Sequence, residues 1–306
     1  MMKRVHLCLF VVFILAITCM NCCTSSKEES GETKVLDKND AAQLIKKNEA
    51  ALRSTAKTKI KIMARKAVDL GLRQSKFGGT PYFPKNAEYP KDKARNYLYL
   101  LAQFNMADLP PLANYPEKGI LQFYIVEDYT NSLYFDRTEQ NIGSDKVRVL
   151  YFPEVLNDDS KLVTDFSFLP KRKADVFVFE GEFALTFEKK EDAISFSDYR
   201  FNKLVGDTFL ASIDGNLDLV KQGTGMDISG SGHKLGGYPY FTQFDPREHL
   251  AKKNGLYELL FQMDSQESKE DYDIIWGDVG VANFFIRESD LKNRDFSKIL
   301  FNWDCS

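Results

Sequence analysis

Along most of the chain apolar and polar positions alternate two by two, and two stretches near the N-terminus depart from that rhythm. The first is Val5 to Met20, a mostly apolar run opened by Lys3 and Arg4. The second runs from about Asn39 to Ser54, where Ala42, Leu44, Ile45, Ala50 and Leu52 form a broad stripe among lysines. That stripe predicts an amphipathic helix, with Asp40 near the positive end of its dipole. From Thr58 the pattern becomes Lys59-Ile60-Lys61-Ile62, a period of two. Strands are predicted there and at Ile120 to Val126, Val147 to Phe152, Val176 to Phe187, Leu256 to Met263, Ile274 to Trp276 and Val281 to Ile286. Short helices are predicted at Phe196 to Lys203 and, with Ser289 as cap, at Asp290 to Arg294. Strands follow strands with few helices between them, so the expected class is α+β with mainly antiparallel pairing rather than a doubly wound parallel sheet.

An internal repeat organises these elements. Lys76-Phe77-Gly78-Gly79-Thr80-Pro81-Tyr82-Phe83 recurs as Lys234-Leu235-Gly236-Gly237-Tyr238-Pro239-Tyr240-Phe241. Tyr99 to Asn105 is answered by Glu258 to Asp264, and Gly119 to Ile125 by Gly280 to Ile286. Three blocks in one order predict a duplicated fold, with repeats at about 58–155 and 215–306 inside a domain spanning 39–306. In each copy Gly78 and Gly79, or Gly236 and Gly237, supply left-handed backbone, and Pro81 or Pro239 fixes the turn that leads into a strand. Alternation then places Leu100, Ala102 and Phe104 on one face and Gln103 and Asn105 on the other, with Gln262 and Asp264 as their counterparts. Such a polar pair either fastens the glycine turn of its own half or faces a groove between the halves.

The N-terminal run is a secretory leader in its order of basic, apolar and small polar segments. Cysteine at its end resembles a bacterial lipoprotein, which gives a signal peptide over 1–22, an acylated Cys23 and a flexible tether over 23–38. Cys23 is preferred because Ser25-Ser26-Lys27-Glu28-Glu29 follows it, resembling the surface-export signal of Bacteroidetes lipoproteins; Cys19 and Cys22 remain alternatives. The expected location is the bacterial cell envelope, lipid-anchored in the outer membrane and exposed at the surface. Cleavage there leaves Cys305 as a lone thiol, with no intrachain disulfide and no Cys-x-x-Cys metal site.

Composition narrows function further. The chain has 306 residues, 43% of them hydrophobic and 28% charged, which excludes a disordered or collagen-like chain. A formal charge of −3, more negative still without Lys3 and Arg4, gives no general attraction to nucleic acid.

Little conventional chemistry is visible. His233 stands where Ser75 stands in the other half and reads as a turn residue rather than a catalyst; His249 has no Gly-x-Ser-x-Gly partner. The Gly223 to Lys234 stretch lacks the phosphate-loop order and reads as a flexible lead-in to the second repeat. Asp264, Asp271, Asp273 and Asp278 lack the spacing of a calcium loop, so no metal and no cofactor are expected.

The runs Ser75 to Pro84, Leu100 to Asn105, Leu109-Pro110, Gly119 to Ile125, Leu259 to Ser265, Trp276 to Gly280, Asp295 to Ser297 and Trp303 to Cys305 resemble the YwqG family over about residues 60–305. That resemblance implies a duplicated, mainly β architecture; because the family is a domain of unknown function, it points to no particular activity. Two classes of function stay open. One is a non-catalytic envelope protein that binds a ligand or another protein, as an immunity-type factor would. The other is an enzyme whose carboxylates act on an envelope substrate. A groove where the halves meet offers Gln103, Asn105, Gln262, Asp264, Trp276 and Asp278 as binding candidates. No catalytic residue is assigned.

Overall fold

The computed structural model describes residues 36–133, 142–173, 176–269 and 271–306. The expected leader, Cys19, Cys22, Cys23 and nearly all of the expected tether lie outside the described residues. Twelve strands and seven helices are described: β1 (Lys57–Ala67), β2 (Lys76–Gly78), β3 (Tyr99–Asn105), β4 (Ile120–Ile125), β5 (Val147–Phe152), β6 (Glu182–Asp192), β7 (Lys234–Gly236), β8 (Tyr257–Asp264), β9 (Gln266–Glu267), β10 (Tyr272–Ile274), β11 (Val281–Arg287) and β12 (Leu300–Asp304). The helices are α1 (Lys38–Ser54), α2 (Tyr129–Ser132), α3 (Phe201–Val205), α4 (Phe209–Ser212), α5 (Leu217–Thr224), α6 (Arg247–Asn254) and α7 (Glu288–Lys292). Among the described residues no helix is long and apolar enough to cross a membrane.

Ten strands form one antiparallel sheet in the order β12-β11-β8-β7-β1-β6-β2-β3-β4-β5. Its two ends nearly meet: Ile142, just before β5, bridges Leu300 of β12, and Gly143 N–H donates to Ile299 O at 2.8 Å. The result is an almost closed barrel, α+β and mainly β, as the alternation predicts. Inside it Phe77, Phe104 and Phe123 from the first half meet Phe261, Phe284 and Phe301 from the second, all buried. Phe123 lies 4.8 Å from Phe261 and 4.9 Å from Phe284, centroid to centroid, within the range of favourable aromatic pairs.

The strand order is palindromic about β1 and β6, and the register makes the symmetry specific. Lys59 to Lys61 pair with Gly236 to Lys234, and Glu182 to Ala184 pair with Gly78 to Lys76. β1 therefore precedes the first glycine block in the chain yet pairs with the second, and β6 does the reverse. A local twofold between them passes near the Met63–Thr186 pair. The second series of strands opens at Glu182, upstream of the 215 boundary that the sequence blocks suggest.

Helices cover one side of this barrel. α1 starts at an Asp37 cap whose carboxylate accepts from the N–H groups of Asn39 and Asp40. Its Ala41, Ile45 and Leu52 pack on Phe201, Phe209, Val220 and Tyr238 to make a second, separate core. Four predicted elements shift. The strand expected at Ile274 to Trp276 runs over Tyr272–Ile274, and the helix expected at Asp290 to Arg294 runs over Glu288–Lys292, with Arg287 rather than Ser289 at its N-cap position. The strand expected from Val176 starts only at Glu182, because Gly181 adopts φ +78° and breaks the extended path. The helix expected from Phe196 begins at Phe201, since the Ser195–Arg200 stretch is taken up by side-chain turns at Ser195 and Asp198.

Candidate functional site

A cavity of about 860 Å³ lies over the outward face of β1. Its floor carries Lys59, Lys61 and Met63, and its walls come from the end of α1, the turn after α5, the glycine-rich lead-in to β7 and the β8–β9 junction. Alternation explains the floor: Ile60 and Ile62 point into the barrel core, so the odd-numbered residues of β1 point out.

One carboxylate organises the cationic end of this cleft. Asp192, 1% exposed, receives Lys59 Nζ on Oδ1 at 2.6 Å and Lys234 Nζ on Oδ2 at 3.1 Å. The Tyr238 N–H also donates to Oδ2, at 3.0 Å, so the same group caps the second glycine turn. Burial pushes the Lys234 ammonium down to about 8 against the attraction of Asp192, and neighbouring Lys59 adds to the fall.

The other end holds His233, Asp264 and Gln266. His233 Nδ1 accepts the Asp264 N–H at 3.0 Å, which leaves the ring proton on Nε2, facing Gln266 Oε1 at 3.2 Å. Burial lowers its pKa to about 4, so the imidazole is neutral and both nitrogens are engaged within the protein. Ser75 does the same work in the first half: its Oγ accepts the Asn105 N–H at 2.9 Å. The turn role read from the alignment of Ser75 with His233 thus has a hydrogen bond behind it. Asp264 is raised by burial, opposed by the N–H groups of Gly232 and Ser265 that its carboxylate accepts.

Gln103 and Gln262 are fully buried and clamp their own glycine turns. Gln103 Oε1 accepts from Tyr82 N–H, and its Nε2 donates to Leu72 O and Gln74 O. Gln262 repeats the pattern with Tyr240 N–H, Gly230 O and Gly232 O. With every group spent on backbone, neither is open to a ligand, which favours the turn-fastening reading over the groove. Asn105 caps a short 3₁₀ turn at Ala107. Trp276 is 0% exposed, packed 4.9 Å from Tyr129 and 6.4 Å from Trp303, so it is core rather than binding surface. Asp278 is exposed outside the cleft, and Asp273 lies 3.8 Å from Lys66. Among the described residues no three His, Cys, Asp or Glu side chains gather as metal ligands. Of the six candidates, only Asp264 lines the cleft.

Lys59, Lys61, Lys190, Asp192 and Lys234 escape a motif search. The one signal was the spacing Lys59-x-Lys61 on an outward strand face, together with a lysine before both Gly-Gly pairs.

Residues 75–305 match the family described as Domain of unknown function (DUF1963). The chain belongs to that family. In this DUF1963 protein the matched segment includes β6, β7 and β8 but not β1, so Lys59 and Lys61 of the cleft floor precede it. No curated protein matches the chain.

Proposed function

We propose that this DUF1963 protein is a non-catalytic binding module of the bacterial cell envelope, held at the outer membrane through an acylated Cys23, and that its ligand or protein partner occupies the cleft over β1. The observation that carries this reading is the cleft itself: about 860 Å³, within the size range of ligand sites, with a charged floor and an exposed Met63 in its lining. The polar groups best suited to proton transfer are already committed, His233 to Asp264 and Gln266, and Asp192 to two lysines. A carboxylate-dependent enzyme is the second reading, favoured by Asp264, whose raised carboxyl could serve as a general acid.

The test uses the full lipoprotein in its own envelope extract. Components retained by the wild type and lost with Met63→Trp, which fills the cleft from an exposed position, support the site; equal retention by both removes it. Chemical conversion of a retained component that stops with Asp264→Asn supports the enzyme instead. Incorporation of labelled fatty acid should disappear in Cys23→Ala, and persistent label would move the anchor to Cys19 or Cys22.

A further inference from the structure

We propose that the outward edge of β5 is a docking site for an extended segment of a partner protein, which joins the ten-stranded sheet as a further strand in the gap between β5 and residues 294–299. This site is separate from the cleft over β1. Its starting point is the backbone of β5. The Val126 N–H donates to Lys146 O at 3.1 Å, and the register then runs from Ile125 opposite Val147 to Ile120 opposite Phe152. Bonded and non-bonded pairs alternate along an antiparallel ladder, so Arg148, Leu150 and Phe152 turn their N–H and C=O groups to β4. Val147, Val149 and Tyr151 turn theirs away. The far side of β4 agrees: the Met106 N–H bonds Gly119 O, which commits Leu121 to β3 and leaves Tyr151, opposite it, without a bond to β4.

Only the first of these outward residues is satisfied. The Val147 N–H turns back to Ser144 O at 3.3 Å, and the Val147 carbonyl accepts from Arg148 Nη1 at 2.9 Å. The N–H and C=O groups of Val149 and Tyr151 have no hydrogen-bond partner among the described residues. Both residues line a cavity of about 520 Å³ whose other wall includes Arg294, Phe296 and Ile299. The Ile142–Leu300 bridge closes one end of this gap, and β4 is the only strand paired with β5 among the described residues.

The chemistry on offer is that of a backbone. Arg294 spends its guanidinium on Leu291 O and Tyr115 O, and Asp295 Oδ1 accepts the Ser297 N–H and Oγ–H. What remains free is a row of main-chain donors and acceptors at the period of a strand, and that row fits the main chain of an extended peptide. Val149, Tyr151, Phe296 and Ile299 give the gap apolar walls, suited to one face of alternating side chains. β5 also lacks the usual protection of an edge: it has no proline, lysine or bulge, and its one charged side chain, Arg148, folds back on Ser144 O and Val147 O. The wall at 294–299 decides between occupants. A second barrel presenting its own β5 would drive its β4 into that wall, whereas a single extended segment has no neighbouring strand to place there.

Titration of the full-length protein with a fluorescent, lysine-flanked peptide of alternating threonine and valine tests the proposal, with the same peptide N-methylated throughout as control. The plain peptide should bind at least about tenfold tighter, because methylation removes the donors that pair with the edge. Tyr151→Pro deletes a gap-facing N–H without breaking a bond to β4, and edge positions tolerate proline. It should weaken binding about tenfold relative to Tyr151→Ala, which loses the same ring and keeps the N–H. Hydrogen exchange on the wild type needs no variant: the peptide should slow the N–H groups of Val149 and Tyr151 and leave those of Arg148 and Leu150 unchanged. Equal binding of the two peptides, no added protection at Val149 and Tyr151, or a folded Tyr151→Pro protein that binds like Tyr151→Ala overturns the proposal. Protection of those two groups that grows with protein concentration alone, with dimers in sedimentation, puts a second copy in the gap and overturns it as well.

Discussion

The two glycine turns share a sequence and a clamp yet live in different surroundings. In the first half Gly79 and Thr80 are exposed, while in the second Gly237 and Tyr238 are buried beneath the helical layer. The lysine before each turn is buried in both halves. Lys76 gives its ammonium to the carbonyls of Gly71 and Leu70, whereas Lys234 gives it to the carboxylate of Asp192. Burial pulls both amines down to about 8. Duplication preserved the scaffold, the glutamine clamp and the buried lysine. Divergence lies in what was laid over the outward face, and that is where the cleft formed.

The largest expected effect concerns a residue of the second half alone. Trp276 has no counterpart in the first half, and its complete burial predicts a loss of about 3–5 kcal/mol for Trp276→Ala in urea unfolding. A loss under about 1 kcal/mol, the range of surface substitutions, would return the ring to the surface as a binding residue.

The clamps give the sharpest comparison. Gln103→Leu and Gln262→Leu each strand one backbone N–H and two carbonyls, at a cost of about 3 kcal/mol after the loops relax. Gln103→Leu should be the costlier, since Gln122 Nε2 also donates to Gln103 Oε1. Thermal unfolding that finds one of the two neutral would break the equivalence.

The turns themselves should respond unequally. Gly79 and Gly237 have φ of +69° and +71°, so alanine strains both by about 1 kcal/mol. An added Cβ at Gly237 meets Asp192, which two lysines and a backbone N–H hold in place; at Gly79 it meets Glu182, a half-exposed side chain held by the Leu70 N–H alone among the described residues and so easier to displace. Gly237→Ala should therefore cost about 2 kcal/mol and Gly79→Ala about 1. Equal losses would mean that the Asp192 bridge yields.

The smallest effect is one of pH. His233 has a folded pKa near 4, below the unfolded value of 6.5, so the unfolded chain takes up the proton first. The stability due to its neutral form is complete above pH 6.5 and is lost as pH falls from 6.5 toward 4. Between neutrality and about pH 5.5 the loss should be about 1 kcal/mol. Asp304 runs the other way, since burial raises it to about 6, so the comparison is with His233→Ser, which installs the first half's residue. That variant should lose the difference in slope, and an unchanged slope would assign the titration elsewhere.

Much of the scaffold was legible because its signals are local. Period-two alternation sorts Ile60 and Ile62 from Lys59 and Lys61 without knowledge of any neighbour. Gly-Gly followed by proline specifies a turn by backbone sterics alone, and the repeated blocks announced duplication. The α5 and α6 helices were not legible, since both are short and their boundaries rest on contacts with distant segments. The Gln103 and Gln262 clamps sat between two readings, because alternation assigns a face and says nothing of what covers it.

What the sequence alone determined, then, is the class of fold, the strand faces, the turns and the existence of two similar series. The tertiary structure decided which strand lies beside which. β1 pairs with the second series rather than its own, and only that exchange sets Lys61 against Lys234 and brings Lys59 to Asp192. The reason is physical: the side-chain period of a strand fixes orientation within one segment, whereas partner choice depends on the closure of the whole barrel. A charge cluster assembled from β1, β6 and β7 has no local signature, and so the cleft emerged only when the sheet was complete.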